Sequence, residues 1–378
     1  MKLLDLNRAA IWRGLALTVV AAWLVACGPS AGRPPGNGPP SPPTTGGAGP
    51  GSAPGPDTSG SSPALEGSAP AAPVRMRVAY PQPSASQTPL WLAYDAGLFT
   101  RYGLDVDLQY VRTGNTLTKA LMAREVDIAA SGGNATLEAI LQGIDLVVIA
   151  SASNVLSFAI YGKPELAGLS DLAGRTVGLY SRGSLTETAL RVAAESAGLD
   201  VDRSVNLVTF GDAPGVLAAL DSGAVQAGVL SAPFTAVARN AGYRELVNVG
   251  DLDYPFLQGA MSTTRAYAGE QPAAVTAFLK AYLSGIKLAR EDAAQAKRSI
   301  AKYTQTDDAA VLDESYRAYA PTWDPLPYAS DAAIRGVLRW LPTEGAATAD
   351  PARFKDDRFL RELEASGFVR ELYPNGVR

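Results

Sequence analysis

The residues best suited to chemistry in this chain are small, neutral and polar, and they come in clusters. Ser84, Ser86, Gln87 and Thr88 stand in YPQPSASQT, and Ser131, Gly132, Gly133 and Asn134 form SGGN. Ser153 and Asn154 end SASN, and Tyr180, Ser181, Gly183, Ser184 and Thr186 lie in YSRGSLTET. Ser231 and Phe234 bound SAPF, and Gln258 sits in LQGAMST. Hydroxyls, amides and glycine-exposed backbone hold a ligand by hydrogen bonds; they do not cleave one without a base. The chain has no histidine, which excludes Ser-His-Asp and Cys-His catalysis and His-ligated metals. Its single cysteine allows neither an internal disulfide nor a thiolate cluster. Binding is therefore expected, with no catalytic residue, metal or cofactor.

YSRGSLTET is the most informative cluster. Ser184 with Glu187 three residues on has the pattern of a capping box, which would make it a well-formed helix start and nothing more. The alternative is that free amides near Gly183 to Thr186, with the Ser181 and Ser184 hydroxyls, hold an oxyanion. No Gly-Lys-Ser/Thr follows, so it is not a P-loop. The glycine pair of SGGN reads either as a tight turn or as a close approach to a ligand. Tyr80, Trp91, Tyr180 and Phe234 are candidates to sandwich a planar group, although the apolar spacing around Trp91 favours core packing. Arg112 and Arg182 are candidates to pair with an anion.

These clusters need a scaffold, and the pattern around them supplies one. From Val74 onward, strand-like stretches alternate with helical ones: VRMRVAY, then a helix over Thr88 to Gly103, then LDVDLQYV, and so on. The alternation predicts an α/β fold with mostly parallel sheets. A second cycle begins near Leu169, and after LQGAMSTTR the pattern is helical to the end. In such sheets ligands bind beyond the carboxyl ends of strands, where the clusters fall.

The first 73 residues read differently. Lys2, Arg8 and Arg13 precede a 13-residue apolar run, Gly14 to Ala26. A spanning helix needs about 20 apolar residues, so the run fits a secretory signal. Cys27 follows at once. Gly28 to Pro73 is rich in Pro, Gly, Ser, Ala and Thr, a composition expected to stay disordered. As a flexible coil it would reach about 37 Å, and about 140 Å as extended polyproline II. The net charge of −4 carries no footprint for nucleic acid.

Leu24-Val25-Ala26-Cys27 resembles the lipobox of bacterial lipoproteins, which implies lipidation at Cys27, a signal peptide over 1–26 and a linker over 27–73. Four further phrases, PLWLAYDAGLFTRYGLDVDL, LTKALMAREVDIAASGGNATLEAILQGIDLVVIAS, LSDLAGRTVGLYSRGS and LDSGAVQAGVLSAPFTAVARNAG, resemble solute-binding proteins of ABC importers. The group is the one that includes nitrate, taurine and alkanesulfonate binders and the pyrimidine-precursor binders of thiamine supply. The resemblance implies a two-lobed periplasmic-binding-protein type II fold with a helical C-terminal tail. Lobe one would be 74–162 with 258–378 and lobe two 163–257, with hinges near Ala159 to Lys163 and Tyr254 to Ala260. It also implies a monomer on the outer side of a membrane that delivers a small polar solute, anionic or pyrimidine-like, to permease subunits. A ligand-binding sensor on the same fold is the alternative. An enzyme of the pyrimidine-synthase branch would need a histidine and a cysteine-rich motif, which this chain lacks.

Overall fold

The computed structural model describes residues 72–377 apart from Gln82. The expected signal peptide, Cys27 and the expected linker up to residue 71 lie outside the described residues. The chain builds β1 (Val74–Tyr80), α1 (Thr88–Asp95), the one-turn α2 (Leu98–Arg101), β2 (Leu104–Tyr110), α3 (Gly114–Met122), β3 (Ile128–Gly132), α4 (Gly133–Leu141) and β4 (Leu146–Val155). It then crosses to β5 (Ala159–Gly162), β6 (Thr176–Leu179), α5 (Leu185–Ser196), α6 (Val201–Ser204), β7 (Asn206–Thr209), α7 (Ala213–Asp221), β8 (Ala227–Leu230), α8 (Phe234–Asn240) and β9 (Arg244–Asn248). It returns through β10 (Pro255–Thr264). The helical tail follows: α9 (Arg265–Glu270), α10 (Pro272–Glu291), α11 (Ala293–Thr304), α12 (Ala309–Tyr319), α13 (Asp331–Leu338), α14 (Arg358–Ala365) and α15 (Phe368–Leu372).

Two five-stranded sheets result, ordered β2-β1-β3-β10-β4 and β7-β6-β8-β5-β9. Each is mixed, where a mostly parallel sheet was expected. β1 runs parallel to β2 and β3, but β10 is antiparallel to both neighbours. In the second sheet β5 is the antiparallel intruder, between β8 and β9. The reason is the crossover: a strand entering a sheet from the other sheet arrives without a βαβ turn to reverse it. β5 also moves the boundary. Ala159 to Gly162 were expected at the end of lobe one and at a hinge, yet they are laddered into the second sheet. The crossing backbone is therefore Leu156 to Phe158 on the way out and Val249 to Tyr254 on the return.

Strand alternation sorts the core. Met76, Val78 and Tyr80 of β1 face one apolar cluster with Val147 and Ile149 of β4, whereas Ala79, Leu146 and Val148 face another. The second cluster continues through Leu156, Phe158 and Ile160 into the other sheet, so the two lobes share apolar contacts at the crossing. Trp91 is fully buried and stacks on Tyr303 at 4.5 Å between ring centroids. The helix expected over Thr88 to Gly103 is broken by Gly97, whose φ of +65° lies in the left-handed region. α10 crosses α1 so closely that a Cβ at Gly285 would lie 2.2 Å from the Pro89 carbonyl. Among the described residues no helix is long and apolar enough to cross a membrane.

Candidate functional site

Two adjoining cavities of about 50 Å³ each lie between the sheets. Pro81, Gly132, Phe158 and Leu185 wall both and form the waist between them. The first cavity collects Ser84, Ser86, Gln87, Ser131, Ser153, Ser231 and Gln258. The second collects Asn134, Tyr180, Ser181 and Ser184, with Thr113 and Asn115. Twelve of the eighteen residues singled out from the sequence line one cavity or the other, Gly132 lining both. They come from the ends of β1, β3, β4, β6 and β8 and from β10, which is why a rule about strand ends found most of them.

The helix starts are arranged around the second cavity. The first residues of α3 (Gly114, Asn115), α4 (Asn134, Ala135) and α5 (Leu185) all line it. First-turn amides have no partner within their own helix, and the aligned peptide dipoles place partial positive charge there. Ser184 occupies the N-cap of α5 without capping it. Its hydroxyl instead donates to the Ser181 carbonyl at 2.6 Å and sits 2.8 Å from the Thr186 hydroxyl. The expected capping box is not formed. Glu187 accepts from the Gly183 amide at 2.9 Å and pairs with Arg182 and Arg191. The Gly183 amide is thus already engaged, contrary to expectation.

Most hydroxyls of the first cavity satisfy one another. Ser231 donates to Ser84 at 3.5 Å, Ser84 lies 3.3 Å from the Tyr319 hydroxyl, and Ser131 lies 2.7 Å from Thr136. Gln258 accepts from the Ser157 amide at the crossing. Two buried polar atoms of residues on the walls have no partner among the described residues: Gln87 Oε1 and the Tyr180 hydroxyl. Burial pushes the Tyr180 phenol up from its ordinary value, with Ser231 opposing the shift, so it stays protonated and able to donate.

Several expected residues serve structure instead. Thr88 is buried in the first turn of α1, donating to the Ala85 carbonyl at 2.7 Å. Asn154 ties β4 to the segment before α13 by bonding the Tyr328 carbonyl and the Ser330 amide. Thr186 accepts from the Tyr180 amide at 3.1 Å, and Phe234 packs on the core at the start of α8. The SGGN glycines make no left-handed turn; Gly133 is needed because a Cβ there would lie 2.1 Å from the Leu257 carbonyl. Tyr80 and Trp91 pack edge to face in the core, and of the four aromatics expected to sandwich a ligand Tyr180 lines a cavity while Tyr80, Trp91 and Phe234 do not. Arg112 and Arg182 are paired with Asp212 and Glu187 and line neither cavity. Among the described residues no charged side chain lines either one.

Sequence reasoning missed Phe158, Leu185, Thr113 and Asn115. Thr113 to Asn115 follow β2, so the strand-end rule applied there would have found them. Phe158 had no such signal, because nothing local marks the crossing backbone.

A model of the NMT1/THI5-like family matches residues 84–296, more than half of the chain. The chain belongs to the NMT1/THI5-like family. No curated protein matches it in sequence. Among solved structures it is similar to a protein from Bordetella bronchiseptica RB50, with a TM-score of 0.69 and 21% identity over 80% of this chain and 98% of that one. It is also similar to the periplasmic nitrate-binding protein NrtA from Synechocystis PCC 6803, with a TM-score of 0.63, 13% identity and coverage of 80% and 92%. The alkanesulfonate-binding protein SsuA from Xanthomonas axonopodis pv. citri, bound to MOPS, gives 0.58 and 21%, with coverage of 66% and 85%. These likenesses carry the fold: two α/β lobes of the periplasmic-binding-protein type with a helical C-terminal region.

In this NMT1/THI5-like chain polar contacts bridge the cleft between the lobes. Ala85 donates to the Ala232 carbonyl at 3.2 Å, and Asn134 to the Gly183 carbonyl. Arg112 beyond β2 pairs with Asp212 beyond β7 at 3.2 Å, and Arg339 of α13 with Glu195 of α5. Arg112 is mostly exposed, so the pair contributes about 0.2–1 kcal/mol and is screened by salt. Asp212→Asn is accordingly expected to weaken ligand binding about two- to fivefold in dilute buffer, measured by calorimetry. The difference should vanish in about 1 M salt; a loss that persists there would show that Asp212 acts otherwise, for example through the Gly215 amide it caps at the start of α7.

Proposed function

We propose that this protein is the solute-binding component of an ABC importer, moored outside the cell by lipid on Cys27. It takes a small polar anion between its lobes and delivers it to the permease. The observation that carries this reading is the convergence of three helix starts on a cavity between lobes, walled by neutral donors. Such a wall favours an anion through dipoles and oriented amides, without the desolvation that a buried cation would add. The names of the structures it resembles, binders of nitrate and alkanesulfonates, support the same chemistry. The expected site residues are those that line the two cavities, and the lobes are 74–158 with 249–377 and 159–248. A pyrimidine-like ligand is the alternative: Tyr80 and Trp91 pack on each other in the core, but Phe158 and Tyr180 both line the second cavity.

Two experiments test the reading. Nitrate, alkanesulfonates and short carboxylates are added to the purified protein, and thermal unfolding is followed. At a hundredfold excess over Kd, a binder stabilises the folded state by about 2.7 kcal/mol, which shifts Tm by several degrees. A panel without any shift contradicts the proposal. For the anchor, labelled fatty acid is fed to cells that make the protein. Label is expected on the wild type and not on Cys27→Ala; equal label on both would refute lipidation there.

A further inference from the structure

The two cavities are unlike, and the difference bears on which anion fits. This inference rests on the proposed binding function and narrows its substrate class. The second cavity is the one at the starts of α3, α4 and α5. The first is lined by hydroxyls that have protein partners and by Gln87, whose side-chain oxygen is buried without a partner among the described residues. Gln87 is 8% exposed and Tyr180 3%, so both polar groups are withdrawn from bulk solvent. The Tyr180 phenol neighbours Ser231 of the first cavity while lining the second, so it stands where the two meet.

From this we infer that the ligand is a short bipolar monoanion: an oxyanion head at the helix starts and a neutral hydrogen-bonding group, a hydroxyl or amide, at the other end against Gln87. The apolar waist of Pro81, Phe158 and Leu185 accepts the one or two methylenes between them. A hydroxyl meets either face of the Gln87 amide, since it both donates and accepts. A methyl in its place leaves the amide oxygen buried and unsatisfied. An ammonium can donate to that oxygen, but it would be buried where no carboxylate lines the wall, and an unpaired buried charge is costly.

Three sulfonates of nearly equal length isolate this choice: 2-hydroxyethanesulfonate, propane-1-sulfonate and 2-aminoethanesulfonate. They share the head and differ in the terminal OH, CH3 or NH3+. By calorimetry on the full chain in detergent, the hydroxyl compound is expected to bind at least tenfold more tightly than either of the others. Gln87→Leu should remove its advantage over the propyl compound. The inference is overturned if the propyl or amino compound binds as well on wild-type protein, if the preference survives Gln87→Leu, or if none of the three binds. The wild-type comparison decides even if the variant does not fold. The broader proposal fails separately, only if the whole anion panel leaves unfolding unchanged.

Discussion

Ser184→Asp is expected to weaken binding of a small anion at least a hundredfold while leaving the melting temperature unchanged or higher. The two effects part because one position does two jobs. Ser184 is the N-cap of α5, yet its hydroxyl caps nothing and bonds Ser181 instead. Aspartate is among the best N-cap residues, and its charge complements the helix start, so the fold gains up to about 1 kcal/mol. The same carboxylate enters the wall of the second cavity. Two like charges about 4–5 Å apart at an effective dielectric near 20 repel by roughly 3–4 kcal/mol, which is two to three orders of magnitude in Kd. Calorimetry paired with thermal unfolding reads both quantities. Wild-type affinity in Ser184→Asp would mean that the anion does not sit at the start of α5.

Gly133→Ala is expected to cost about 3 kcal/mol of stability, a large effect for one methyl group. The added carbon would lie 2.1 Å from the Leu257 carbonyl oxygen and 3.1 Å from its side chain. The obstacle is backbone of β10 between its pairs at Pro255 and Gly259, so it cannot swing aside as a flexible side chain would. Overpacking of this kind usually costs 1–3 kcal/mol, and a backbone obstacle places it at the upper end. Denaturant unfolding measures it. A loss below about 0.5 kcal/mol would show that α4 shifts freely on the sheet.

Much of the architecture was legible because its causes are local. Alternating apolar residues in VRMRVAY and the spacing in PAAVTAFLKAYLSGIKLA specify β1 and α10 without knowledge of any partner. β5 was not legible. Its four residues carry a run too short to call, and its antiparallel place between β8 and β9 depends on the other sheet. In the site, clusters after strands were found because loops there are polar for a local reason. What each residue does was not, because that depends on partners far away in sequence. Asn154 is claimed by the Tyr328 carbonyl 174 positions on, and Arg112 by Asp212 100 positions on. Gln87 and Tyr180 look like their neighbours in the sequence. Among the described residues their polar atoms are buried without hydrogen-bond partners, which no local pattern announces.

Closure of the lobes couples shape to binding. Each buried unsatisfied atom, Gln87 Oε1 and the Tyr180 hydroxyl, costs about 1–3 kcal/mol. A ligand that bonds them favours the closed form by a similar amount, about tenfold or more in population for each. The most direct measurement is small-angle scattering of the protein with and without a saturating small anion from the panel. The account predicts a smaller radius of gyration with the anion, and a bound profile that matches the one calculated from the closed lobes. A profile that stays the same while calorimetry reports saturated binding would contradict it.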